Sequence, residues 1–232
     1  MEMKSFRFAV TAFLIFFAPA ASSNEDIERE FRDRSVILSS GEIGSGFILG
    51  SEGDTVFVVT AYHVVKDALN DASGRNLSEL LTITPLARQA NCSHSFSPEA
   101  AWYPKVESVD GTDDFAIIKA KSTCKISSYP ISVAWADAAP SLGIQMQYVD
   151  LISIFSTARV SPPIYLANSC IRRQDCFNSP LVKTQYRFNS NDSGSALFSD
   201  QGLVGIVTKN DGFLSVPAIL AIASGCVKGD CR

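Results

Sequence analysis

Near the C-terminal end runs "RFNSNDSGSALFSDQGLVGIVTKND", which sets Ser193 between Asp192 and Gly194 with apolar segments on both sides. A serine hydroxyl there attacks a carbonyl only if a base takes its proton and an acid orients that base. Asp-Ser-Gly is also an ordinary turn sequence, so the partners must come from elsewhere. The chain has two histidines: His63 in "VFVVTAYHVV", directly after an apolar run, and His94 in the polar "NCSHSF". His63 is the stronger base because a strand end is a rigid platform; the alternative is a hydrogen-bonded structural histidine. The acid comes from "DGTDDFAIIKA", where Asp114 stands at the mouth of an apolar run and Asp113 on its wetter side. Asp114 at that boundary can be buried enough to hold an imidazole, whereas the bland reading makes both acids turn residues.

The elements that must position these groups are short. The runs 35–40, 46–50, 55–61, 81–86, 114–120, 143–149, 151–160, 182–188, 195–199 and 203–208 are rich in β-branched and aromatic residues. Their length and spacing predict an all-β sandwich or barrel, and no βα alternation is present. Residues 64–72 predict a short helix, and "VPAILAIAS" (216–224) a terminal one between Pro217 and Gly225. The stretch 161–181 is the longest without a pattern, and no internal repeat or interdomain linker appears.

With 46% hydrophobic and 19% charged residues the chain reads as globular, and its net charge of −4 gives no electrostatic case for nucleic acid. Lys4 and Arg7 precede the apolar run Phe8 to Ala20, which ends in Ala18-Pro19-Ala20. That pattern predicts a signal peptide over 1–20, a polar arm or short helix over 21–34, and one domain over 35–232. The other reading of the apolar run is an uncleaved anchor; after cleavage no stable membrane insertion is expected. Six cysteines in an exported chain suggest three disulfides among 15 connectivities. Proximity favours Cys170–Cys176 and Cys226–Cys231, leaving Cys92–Cys124. A metal site is the competing reading, but no Cys-x-x-Cys pair occurs, and none is expected.

Taken together, "GSGFILG" followed by "VVTAYHVV", "DFAIIKA" and "NDSGSALFSDQGLVGIV" resemble the trypsin-like serine peptidases of the chymotrypsin fold. Within them the bacterial HtrA-like and glutamyl-endopeptidase-like branches look closer than the animal digestive enzymes. The resemblance covers about 35–225 and keeps the order His, Asp, Ser. It implies two packed six-stranded antiparallel β-barrels, with His63 and Asp114 on the first and Ser193 on the second. Ser193 would be the nucleophile, His63 the base and Asp114 its orienting acid, acting on a protein or peptide without cofactor.

The backbone N–H groups of Asn191 and Ser193 would form the oxyanion hole, a contribution of about 3–4 kcal/mol per donor in such sites. Asn191 stands where the family has glycine, and asparagine tolerates unusual backbone angles better than most residues. A mature start near Ala21 lacks an Ile-Val-Gly-Gly-like terminus, so Asp192 is expected to have no terminal amine as partner, with activation either needing no propeptide cleavage or taking some other route. The resemblance also implies that Arg187 falls where the family has its pocket floor, and that Thr208, Lys209 and Asn210 match the wall strand that pairs with substrate. The two basic side chains suit an acidic substrate residue unless they point to solvent, and Val207 stands where glutamyl-specific relatives have histidine.

The triplets at Asn76, Asn91 and Asn191 would accept glycans in a eukaryotic secretory route, and a glycan on Asn191 would block the site, which fits a bacterial exported protein better. A periplasmic or secreted monomer without a PDZ-like domain is expected. Two other readings stay open: a silent trypsin-like fold used for binding, and a β-barrel envelope or adhesion protein whose Asp-Ser-Gly is only a turn.

Overall fold

The computed structural model describes residues 24–72, 75–86, 96–103, 114–123, 145–149, 158–160, 181–184, 187–189, 192–199, 202–209 and 212–215. The expected signal peptide, all six cysteines, the patternless stretch up to residue 180 and the terminal helix over 216–224 lie outside them.

The polar segment expected as an arm or helix is helix α1 (Asn24–Arg34). Glu and Arg are good helix formers, and Arg32 and Arg34 in the last turn suit the negative end of the helix dipole. Phe31 is its buried anchor at 1% exposure. Arg34 is buried beside it, 3.5 Å from Glu30 one turn earlier, with Nη1 also 3.5 Å from the Ile48 carbonyl. Burial lowers the pKa of Arg34 and raises that of Glu30, with their mutual attraction opposing both shifts.

The first sheet holds β1 (Ser35–Ser39), β2 (Ile43–Glu52), β3 (Thr55–Thr60), β4 (Thr82–Pro85), β5 (Ser97–Trp102) and β6 (Ala116–Lys121) in the order β4-β1-β2-β3-β6-β5. Every pairing is antiparallel. A bridge between Ile83 and Phe96, just ahead of β5, joins the two outer strands, so this sheet curls back onto itself. The second sheet holds β7 (Gln145–Val149), β8 (Ala158–Val160), β9 (Leu181–Lys183), β10 (Ala196–Ser199), β11 (Gly202–Lys209) and β12 (Gly212–Ser215) in the order β8-β7-β10-β11-β12-β9. Its pairings are antiparallel too, and among the described residues none joins β8 to β9. This is the expected all-β architecture; of the two expected six-stranded barrels the first closes through the Ile83–Phe96 bridge, and the second is described as a six-stranded antiparallel sheet.

Strand periodicity explains the packing. Side chains alternate faces along a strand, and β3 is apolar on both, so it serves two cores. Val56 and Val58 point into the first sheet's interior with Val36, Leu38, Ile48, Ile83 and Ile118. Helix α2 (Tyr62–Asp71) closes that interior with Val64, Val65, Ala68 and Leu69. Val59 points the other way, into a second cluster with Phe31, Phe47 and Phe115 and, from the second sheet, Ala196, Phe198, Leu203, Ile206 and Leu214. This cluster is the seam between the sheets. Phe31 lies in it with ring centroids 5.1 Å from Phe47 and 4.5 Å from Phe198, both stacked. Each such aromatic pair adds about 0.5–1.5 kcal/mol beyond the area it buries.

Candidate active site

Strand β3 ends at Thr60, and Ala61 in extended conformation turns the chain into α2, so His63 is the helix's second residue. A helix N-terminus exposes N–H groups that lack an acceptor in the helix, and no side chain of the Ala61 cap supplies one here. Asp114 does so from the entrance of β6: its Oδ1 accepts the His63 N–H at 3.0 Å. Its Oδ2 lies 2.8 Å from His63 Nδ1. One carboxylate therefore fixes both the backbone and the ring of the same histidine. Asp114 is 7% exposed, while the His63 side chain is 37% exposed and open to the surface.

Ser193 enters from the second sheet, in the turn before β10. Its Oγ is 2.8 Å from His63 Nε2. An ionised carboxylate only accepts, so the Nδ1 facing it carries the proton and Nε2 is left to accept from the serine hydroxyl.

The turn that presents Ser193 is held from three sides. From the first sheet, Ser45 N–H of β2 donates to the Ser193 carbonyl at 2.9 Å. From the second, Gly194 N–H donates to Val207 O at 2.7 Å and Val207 N–H to Ser195 O at 2.9 Å. Within the turn, Asp192 N–H donates to Asn189 O at 3.0 Å and Ser195 N–H to Asp192 O at 2.9 Å. Gly194 has φ 82°, and a Cβ there would stand 1.9 Å from Ser45 O, so only glycine fits. Gly44 is tight for another reason: a Cβ would meet Val64 Cγ1 at 2.5 Å and the Ser193 carbonyl at 3.3 Å. Gly44 and Ser45 of the "GSG" thus form the part of β2 against which the Ser193 turn lies, while a Cβ on Gly46 would meet Leu38, Val58 and Val36 inside the first sheet.

Asp192 is buried, and its Oδ2 accepts the Asn189 N–H at 2.7 Å. Burial pushes its carboxyl above the usual aspartate range, and the Asn189 N–H pulls it back only in part. Between the ordinary and the raised value the native state holds a proton that the unfolded state has lost. The stabilisation is full below the ordinary aspartate pKa and is lost as pH rises through the native one. Asp192→Asn, which cannot ionise, should therefore unfold at a higher temperature than wild type at about pH 7.5 and show no gain at about pH 3.5. Thermal unfolding at both pH values checks this, and a difference independent of pH would contradict it.

Of the remaining expected site residues, three are described. Arg187 is described and exposed. Thr208 is 1% exposed, so its side chain is closed to a substrate and only its backbone on β11 is available. Lys209 ends β11, paired with Gly212. Asn191, Asn210, Asp113 and His94 lie outside the described residues. Among the described residues no three metal-ligating side chains cluster, and no helix is long and apolar enough to cross a membrane. Sequence reasoning missed the part of Ser45 at the seam, although its place between two glycines ahead of an apolar run was a signal of close backbone approach.

Two six-stranded antiparallel sheets with an Asp–His–Ser relay across their seam define the trypsin-like class of proteins. Residues 44–206 match the family model of the trypsin-like peptidase domain, and the chain belongs to that family. Among solved structures it is similar to Deg5 at 16% identity, with TM-score 0.57 over 85% of this chain and 90% of that one. It is also similar to the scabies mite inactivated protease paralogue S-D1 at 12% identity, with TM-score 0.60 over 89% and 95%. The Rv3671c protease of M. tuberculosis in its inactive form aligns at 17% identity, with TM-score 0.53 over 89% and 96%. These likenesses speak for the fold. No curated protein matches the sequence.

Proposed function

We propose that this chain is an exported serine endopeptidase that hydrolyses peptide bonds through Ser193, His63 and Asp114 and an acyl-enzyme intermediate. The observation that carries it is the unbroken relay from Asp114 Oδ2 to His63 Nδ1 and from His63 Nε2 to Ser193 Oγ, each link 2.8 Å. In the first half-reaction Ser193 Oγ bonds to the substrate carbonyl carbon while its proton passes to His63 Nε2. That proton goes to the leaving nitrogen as the C–N bond breaks. Water then repeats the sequence on the ester and restores Ser193. The imidazolium that forms is stabilised by Asp114, and the backbone N–H groups of Asn191 and Ser193 are the expected donors to the oxyanion. The chemistry needs no metal or cofactor.

The basic start, apolar run and small residues of 1–20, together with six cysteines, support export to a periplasmic or secreted location. The similarity to an inactivated protease paralogue supplies the other reading, a binding module on the same fold. The complete relay favours catalysis.

A fluorophosphonate probe should label the purified protein at Ser193, located by peptide mass spectrometry, and the protein should cleave a mixed peptide library. A folded sample that does neither sinks the enzyme reading. Arg187 is exposed, and an exposed ion pair is worth at most about 1 kcal/mol, so Arg187→Ala should lower cleavage after Glu or Asp by about fivefold at most. No change at all would remove Arg187 from the pocket.

A further inference from the structure

We propose that helix α1 is a positioning element for the relay, with Phe31 setting the distance between His63 and Ser193; this rests on the peptidase reading above. The relay has two links of different kinds. His63 and Asp114 both stand on the first sheet or its connections, and β3 and β6 pair directly from Thr55↔Lys121 to Thr60↔Ala116. Their link is therefore internal to one sheet. The His63–Ser193 link instead crosses the seam, between residues 130 positions apart. Its length depends on how the two sheets sit on each other.

The seam cluster draws on the same segments that carry the three residues. Phe115 follows Asp114, Val59 lies on the strand that leads to His63, and Ala196 and Phe198 lie on the strand that leaves Ser193. Phe31 belongs to neither sheet, yet it stacks on Phe47 of the first and Phe198 of the second. It acts as a spacer whose thickness enters the relation between the sheets. The helix is tied down at its C-terminal end, where Ser35 Oγ donates to the Phe31 carbonyl at 2.7 Å and buried Arg34 reaches Ile48 O of β2. The ring thus has a fixed seat. Close-packed interiors transmit a change of volume as displacement, and a shift of about 1 Å at reacting atoms costs about 10²-fold in rate.

The test uses the full protein with Phe31→Ala and the milder Phe31→Leu. Three quantities are read well below the unfolding temperature: kcat and KM on one peptide, the downfield proton on His63 Nδ1, and the ¹⁵N shift of His63 Nε2. Phe31→Ala should lower kcat by about 10²-fold with little change in KM, keep the Nδ1 proton, and shift Nε2 as its bond from Ser193 lengthens. Phe31→Leu, which retains most of the volume and folds if alanine does not, should lie between, at about tenfold. Unchanged kcat and Nε2 shift in Phe31→Leu and any folded Phe31→Ala would overturn the proposal. So would loss of the Nδ1 proton in parallel with kcat, because that is general loosening. Wild type without turnover, but with an Nε2 shift that responds to Phe31, would reject the peptidase reading and leave the positioning role standing.

Discussion

Ser193→Ala is expected to lower kcat by about 10⁶-fold, and adding His63→Ala to it should lower kcat hardly further. The reason is the geometry of the pair. His63 Nε2 is 2.8 Å from Ser193 Oγ, and in the proposed first step the imidazole takes that proton. Without the hydroxyl there is nothing for the base to activate, and without the base the hydroxyl stays a weak nucleophile. The two losses are therefore one loss measured twice. Steady-state kinetics of both single variants and the double variant on one peptide substrate decides the matter. A residual rate of about 10³–10⁴ over water should survive in all three, from substrate binding and oxyanion stabilisation. Losses that multiply in the double variant would mean that the two residues act separately and that the relay is not the catalytic unit.

The second large effect is at Asp114, where asparagine should cost about 10⁴-fold in kcat with little change in the unfolding temperature. The substitution keeps shape and changes hydrogen-bond polarity. The amide oxygen can still accept the His63 N–H that Oδ1 accepts at 3.0 Å, so the start of α2 stays capped. The amide nitrogen then faces His63 Nδ1, where the carboxylate oxygen stood at 2.8 Å, and it can only donate. His63 must carry its proton on Nε2, which removes the acceptor that Ser193 needs. Asp114→Ala, by contrast, also loses the helix-end acceptor and should add about 1 kcal/mol of destabilisation. Paired kinetics and thermal unfolding of the two variants separate tautomer from cap; equal stability of both would show that the His63 N–H bond carries no weight.

Much of this site was legible in the sequence because each part is a local pattern. The run "TVFVV" reads as a strand, and its unbroken apolar content has its reason in Val58 and Val59 facing different cores. Asp114 at the mouth of "DFAIIKA" is buried as its boundary position suggests. Strands β5 and β12 were not legible: "SPEAAW" contains Pro98, Glu99 and two alanines, all poor strand formers, and "GFLS" is too short to show alternation. They exist because β6 and β11 offer unpaired edges beside them. The seat of α1 was hidden for a different reason. "NEDIEREFRDR" is charged almost throughout, and one phenylalanine in it does not announce that it completes a core made by strands far along the chain. Such contacts follow from the assembled fold and leave no period in the sequence.

The bond from Ser45 N–H to the Ser193 carbonyl has a consequence in time. A chain made from its N-terminus can finish β1, β2, β3 and the histidine's helix early, but the nucleophile turn, and β11 and β12 beyond it, leave the ribosome only afterwards. The strip of β2 waits, with the base in place, for a partner 130 residues downstream of His63. Until then the nascent protein has no complete relay. Order of synthesis thus completes the Asp–His–Ser arrangement only once the segments through β11 have emerged.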